Sequence, residues 1–310
     1  MADLQLPVRV TIFSCWHNRM RELEKSIYSV LDQEGVDLEY IVIDDASTDG
    51  TAELLAAIEH PRFRLIRNDT NIGFVRSARK AVALGTGDYV AVHGAGDISL
   101  PGRLAAQAAL LDANPEVVVT GVGVENVDVT TGVRRRHGTR HKNPTPPNLK
   151  MKYTGGEVMF RRAAYELVGG YREIFYYSQD TDLWLRMNEI GRVDTVDDVY
   201  YERRIFADGV EGNPMKKVRQ AQFASLAGHA ATERAAGRSD PVEHFHALAL
   251  LAQPHSAEMR QRIGRMVVRP LLKKRQFTQA RAALETAPAG ALSWKMLMAL
   301  LALRVFLRQR

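Results

Sequence analysis

Apolar and polar positions alternate in blocks along the first two thirds of the chain. The run "VRVTIFSC", Val8 to Cys15, is rich in β-branched residues and leaves Pro7, and "MRELEKSIYSVLDQ" then places Leu23, Ile27, Val30 and Leu31 at helical spacing. The pair recurs as "EYIVIDDAS" before "TAELLAAIEH", "RFRLIRN" before "GFVRSARKAVALG", and "GDYVAVHG" before "LPGRLAAQAALLDANP", with "EVVVTGVGVENVDV" as a further strand. Strands that are apolar on both faces and alternate with helices predict an α/β fold with a mostly parallel sheet covered on both sides. Ligands of such sheets sit beyond the carboxyl ends of the strands, so the residues at those ends are the first candidates for chemistry.

The pattern changes after the last of these strands. "TTGVRRRHGTRHKNPTPPNLK" combines turn formers with positive charge and reads as an exposed loop. "GEVMFRR" follows, then the helix "AAYELVGG", the helix "QDTDLWLRMNEIG" stopped by Gly191, and the strand-like "RVDTVDDVYYERR". From about Pro214 helices dominate, broken at Pro270 and "APAG". The division expected is a catalytic region over 1–213 and a helical region over 214–310.

Composition narrows the class. With 310 residues, 45% of them hydrophobic and 25% charged, the chain reads as an ordinary soluble globular protein. Its one cysteine, Cys15, excludes a disulfide framework and a thiolate zinc cage and fits a reducing compartment. "MADLQLPVRVTIFSC" carries no pattern of a secretory leader, so the expected location is cytoplasmic. The net charge of +6 is concentrated in Ser256–Arg310, which holds twelve Lys/Arg against two Asp/Glu. In that tail Lys295 and Arg304 bound an apolar core, Met296–Leu303, which falls short of the roughly 20 residues a membrane span needs. Two readings of the tail stand: helices lying against anionic lipid at the inner face of the cell membrane, or helices packing on the rest of the protein or on a second copy in an oligomer. Nucleic acid is not an expected partner, because aromatics are not interleaved with the basic residues as stacking platforms.

Asp44 and Asp45 end a fully apolar strand. Adjacent carboxylates repel unless hydrogen bonds or a cation hold them, which points to a ligand site; capping of the next helix is the other reading, and Ser47 or Asp49 could also serve that end. "VTIFSCWHN", "SIYSVLDQ", "EYIVIDDASTDGT", "NDTNIGFVRSARKAVALGTGDYVAV", "PGRLAAQ", "GGEVMFRRAAYELVGGYRE" and "SQDTDLWLRM" together resemble the family 2 inverting glycosyltransferases of the GT-A fold over roughly residues 8–205. The resemblance implies a nucleotide-binding half over about 8–120, an acceptor half over about 121–213, and transfer of a sugar from a nucleoside diphosphate sugar to a saccharide or lipid-linked acceptor.

It also implies roles for particular residues. Asp44 matches the aspartate that hydrogen-bonds the base, with Asp45 beside it. Cys15, Trp16, His17 and Asn18 stand at the first strand's exit, where the nucleotide is lined, though only Asn18 matches the family pattern outright. Asn71, Gly73, Arg76 and Arg79 match a stretch whose arginine faces the nucleotide, with Lys80 in place of the family's asparagine; for Arg76 a helix-surface role is the alternative. Where the family has Asp-x-Asp-Asp, this chain reads Gly94-Ala95-Gly96-Asp97. Asp97 matches the ligand of a divalent cation, Mg²⁺ or Mn²⁺, and Gly96 stands where a ribose contact is expected. A cap on the helix near Leu100–Pro101 is the other reading of Asp97. In "SQDTDLW", Gln179 replaces the family's glutamate and Asp180 matches the general base. Asp182, Gly155 and Gly156 complete the acceptor side, Trp184 reads as core, and the two glycines also suit a tight turn. A GT-A domain that kept nucleotide-sugar binding and lost catalysis is the rival reading.

Overall fold

The computed structural model describes residues 9–137, 153, 155–206, 209, 213–245, 267–273 and 275–280. The chain divides into two compact units, Met1–Arg204 and Ile205–Arg310.

In the first unit β1 (Arg9–Trp16), β2 (Asp37–Asp44), β3 (Phe63–Arg67) and β4 (Tyr89–Val92) lie in the order β3-β2-β1-β4, all parallel. Successive strand residues face opposite sides. Phe13 of β1 therefore joins the core that contains residues of α3 (Phe74–Leu84), α5 (Arg162–Leu167) and α6 (Gln179–Met187). Val10, Ile12 and Trp16 join the core built with α1 (Leu23–Leu31), α2 (Thr51–Ala56) and α4 (Arg103–Ala113). Trp16 is fully buried, its Nε1 donating to Ser14 Oγ at 2.7 Å, so it is a core residue and not part of a nucleotide-lined surface. Trp184 is core, as its sequence context implied.

The sheet is mixed, and its parallel part ends at β4. β8 (Met159–Arg161) runs antiparallel to β4, β6 (Val117–Asp128) antiparallel to β8, and β5 (Ile98–Ser99) antiparallel to β9 (Arg192–Ile205). Segment Arg134–His137, expected in an exposed loop, is a strand, β7, paired antiparallel with Val124–Val127 of β6. Arg134, Arg135 and Arg136 stay exposed while the backbone pairs with β6, and across the strands Arg134 Nη1 meets Glu125 at 2.6 Å and Glu202 at 2.7 Å. The remainder of that basic segment, 138–150, falls outside the described residues.

In the second unit, α7 (Pro214–Ala235) opens with Asn213, whose Oδ1 accepts from the Met215 and Lys216 amides, and with Pro214 in the first turn. α8 (Pro241–Phe245) and α9 (Arg269–Lys273) follow. No helix among the described residues is long and apolar enough to cross a membrane. Most of the basic tail, including Met296–Leu303, lies outside the described residues.

Candidate active site

The exits of β1 and β2 are laced together. Asn18, in the left-handed region at φ +49°, accepts the Thr48 amide on its side-chain oxygen at 2.7 Å, and its own amide donates to Ser47 Oγ at 3.0 Å. Exposed His17 holds the Asp45 carbonyl through Nδ1 at 2.9 Å. Cys15 sits just before them, its thiol pushed up by burial and by the Asp45 charge, which keeps it neutral.

The two adjacent aspartates have different duties. Asp45 accepts from Asn68 Nδ2 and the Ile72 amide at 2.9 Å each and from the Gly73 amide at 2.8 Å, so its carboxylate fastens the loop before α3 to the sheet. Asp44 accepts the Ser47 amide on Oδ1 at 3.1 Å, while its buried Oδ2 makes no hydrogen bond and has Arg67 Nε 3.5 Å away. Neither caps α2, whose first turn follows Gly50. Asn71 steadies the Gly73 amide at 3.1 Å, and Gly73 at φ +82° allows the sharp entry into α3. Arg76 is exposed and pairs with Glu173 at 2.8 Å, which is the helix-surface alternative. Arg79 reaches the Gly169 and Tyr171 carbonyls at 3.3 and 2.6 Å, tying α3 to the turn after α5.

At the β4 exit Asp97 is 8% exposed and hydrogen-bonded on both oxygens: Oδ2 accepts from Tyr201 OH at 2.8 Å and Oδ1 from the Arg204 amide at 2.7 Å. Burial raises its pKa to about 7. Tyr201 OH also receives the Gly94 amide at 2.8 Å. Beneath it, the buried Arg103 guanidinium stacks 4.7 Å from the Tyr201 ring and donates to the Val92 and Gly156 carbonyls at 2.8 Å each. Gly96 spends its amide on Ser26 Oγ at 3.2 Å. The cap reading of Asp97 fails, because α4 begins at Arg103 after Gly102 without a side-chain cap. The cation reading also lacks support in the donor set. Both Asp97 oxygens are engaged by protein donors, and among the described residues no three His, Cys, Asp or Glu side chains group to hold a metal ion. These residues do not fit a protein-held cation.

Asp180, in the first turn of α6, is partly exposed. Its Oδ1 accepts from Tyr171 OH at 3.2 Å and its Oδ2 from Gln179 Nε2 at 3.3 Å. Loss of solvation pushes its pKa up to about 7, opposed by the Tyr171 hydrogen bond and reinforced by the Glu157 charge. Its carboxylate rests on Gly155, at φ +106°, where an added Cβ would stand 2.5 Å from Oδ2. A Cβ on Gly156 would stand 2.3 Å from Tyr201 OH, so one dipeptide lies against Asp180 itself and against the tyrosine that supports Asp97. Asp182, expected on the acceptor side, is buried and taken up by Arg172 and Arg186, an ion cluster that fixes α6 to the loop before it.

Tyr201, Tyr171 and Arg103 were not singled out in the sequence. Period-2 alternation in "VYYERR" marks Tyr201 as a strand residue and gives no sign of its contact with Asp97, 104 positions away.

Comparison with known proteins gives a consistent picture. The family model described as Glycosyl transferase family 2 matches residues 11–169. The Bacillus subtilis protein named "Putative glycosyltransferase EpsE" is 37% identical over 192 residues, which are 59% of this chain and 68% of that one. The succinoglycan biosynthesis protein ExoO of Rhizobium meliloti is 34% identical over 122 residues, 39% of this chain and 34% of its own length. Among solved structures, a mannosyltransferase from Pyrobaculum calidifontis in complex with GDP-Man and Mn²⁺ superposes with a TM-score of 0.59 at 21% identity, covering 99% of this chain and 82% of that one. At that identity the likeness speaks for the fold.

Proposed function

Because the chain belongs to glycosyl transferase family 2 and has the GT-A fold, we propose that it moves a sugar, with inversion, from a nucleoside diphosphate sugar to an acceptor hydroxyl in the assembly of a polysaccharide or glycolipid. The observation that carries this reading is Asp180. It is a partly exposed carboxylate with a pKa pushed up to about 7, lightly held by two side-chain donors beyond 3.1 Å. A base whose pKa lies near the working pH is the most effective proton acceptor. Asp180 takes the proton of the acceptor hydroxyl as that oxygen attacks the anomeric carbon. The leaving nucleoside diphosphate departs from the opposite face, so one displacement inverts the centre.

Asp44 supports the donor half of the reading. A buried carboxylate oxygen without a hydrogen bond is costly unless a ligand donates to it, and an N–H on the edge of a nucleobase supplies such a donor. His17, Asn18 and the Asp45-tethered loop frame that place. The acceptor is assigned by the names of relatives such as the succinoglycan protein, and placement at the cytoplasmic face of a membrane rests on the charge of the tail alone.

The test is thermal stabilisation. A ligand that binds only the folded state raises the melting temperature by mass action. Among UDP, GDP, ADP, CDP and dTDP, at least one is expected to shift the transition in a concentration-dependent way, and Asp44→Asn should weaken the shift. No shift with any of the five overturns the donor site.

A further inference from the structure

The β4 exit is constructed around a contact with β9. The Asp97 carboxylate fills the space a side chain at position 94 would need, an ideal Cβ there standing 2.2 Å from Oδ2. Gly156 in turn leaves room for the Tyr201 hydroxyl that Asp97 accepts. Gly96, at φ +90°, takes no side chain without strain. An acid at position 94 would need the space the Asp97 carboxylate occupies, and one at position 96 would sit on strained backbone.

What this contact brings to the strand exit is positive charge. Asp97 binds β9 through Tyr201 and through the Arg204 amide, which fixes the intervening Arg203. Alternate residues of a strand share a face, so Arg203 lies on the face of Tyr201, and Arg204 lies on the other, where it meets Glu202 at 3.2 Å. Arg203 Nε is steadied by Asn126 Oδ1 of β6 at 2.9 Å, and its charge is felt at Asp97.

We propose that Arg203 neutralises the donor's diphosphate in place of a divalent cation, with Asp97 as the positioning residue that fixes the β9 end carrying it. The proposal rests on the nucleotide-sugar reading above. A guanidinium stays charged at every working pH and presents a fork that matches two phosphate oxygens. When the bond between the anomeric carbon and the β-phosphate oxygen breaks, its electron pair stays on that oxygen, and Arg203 meets the charge. The new bond forms from the acceptor oxygen, whose proton passes to Asp180. A preorganised cation aimed at developing charge is an established source of rate enhancement.

The experiment measures binding of UDP, GDP, UMP and GMP to the intact protein in excess EDTA and in excess Mn²⁺. The expected result is a diphosphate that binds as well in EDTA as in Mn²⁺ and better than its monophosphate by about ten- to a hundredfold, the worth of hydrogen bonds to a charged group. Arg203→Gln should erase that preference, and Arg203→Lys should keep part of it. Melting without ligand shows whether each variant is folded; if Arg203→Gln is not, the lysine variant and the EDTA comparison still decide. Diphosphate binding that requires Mn²⁺, or a preference that survives Arg203→Gln, overturns the proposal and leaves the nucleotide-sugar reading standing. No binding of any nucleotide under either condition overturns both.

Discussion

Asp97 and Asp180 form a natural experiment within one fold. Both are raised to about 7 by loss of solvation, both accept from a tyrosine hydroxyl, and both lie against a glycine that has no room for a Cβ. They differ in the second partner and in access. Asp97 is buried and held by the Arg204 backbone amide at 2.7 Å; Asp180 is partly exposed and held by the Gln179 side chain at 3.3 Å. A carboxylate closed on both oxygens by short bonds is a clamp. One with long, replaceable donors and an open side can receive a proton from a substrate.

Exchanging each for its amide is the strongest way to break the comparison. Asp180→Asn keeps the shape and removes the proton acceptor, so kcat should fall by on the order of 10²-fold or more with diphosphate affinity near wild type. Asp97→Asn should act chiefly on diphosphate affinity, through the β9 end, with the smaller change in kcat. Steady-state kinetics beside direct nucleotide titration separates the two, and equal loss of kcat in both variants would collapse the distinction.

The glycines come next in size. Gly94→Ala drives a Cβ into Asp97 Oδ2 at 2.2 Å and near Tyr201 OH at 3.3 Å, an overpacking expected to cost about 1–3 kcal/mol in urea denaturation. Gly155→Ala adds a side chain at φ +106° and crowds Asp180 at 2.5 Å, with a backbone cost of about 1–2 kcal/mol. The stability losses should be similar and the kinetic ones different. Gly155→Ala misplaces the base and lowers kcat; Gly94→Ala loosens the clamp and raises the diphosphate dissociation constant. Urea midpoints that do not move in either variant would show that the carboxylates yield freely.

Much of this arrangement was legible before the structure. The apolar runs located β1 to β4 and the helices after them, and the motif around "SQDTDLW" singled out Asp180 and its neighbour Gln179. What stayed hidden was partnership across long separations. Asp44 and Asp45 are indistinguishable in "IDDAS", and only the fold shows that Asp45 is consumed by the Asn68–Gly73 loop while Asp44 keeps an oxygen open. "HGAGD" reads as an acid cluster with members missing until the fold shows Asp97 and Tyr201 against Gly94 and a positive φ at Gly96. Local pattern also failed at Arg134–His137, a polar strand, exposed over Arg134–Arg136, whose pairing with Val124–Val127 no hydrophobic alternation announces. In each case the deciding contact lies on another element, which periodicity within a segment does not encode.

The finest probe of the comparison is the tyrosine on the Asp180 side. The Tyr171 hydroxyl donates to Asp180 Oδ1 at 3.2 Å and so favours the charged carboxylate, drawing the pKa down against the larger effect of desolvation. Transfer requires the unprotonated base, so kcat should rise with pH through about 7 and level off above it. Tyr171→Phe removes the donor, destabilises the charged form and moves that limb to higher pH. A net hydrogen bond of about 0.5–1.5 kcal/mol corresponds to a loss of roughly two- to tenfold on the acid limb. Near the plateau the two enzymes should converge, since the base is then unprotonated in both. A structural role for Tyr171 predicts instead a loss independent of pH, because a misplaced base stays misplaced when it is charged. Tyr201→Phe supplies the contrast on the Asp97 side: it should leave the position of the acid limb unchanged and weaken diphosphate binding, as befits a hydroxyl that serves a clamp.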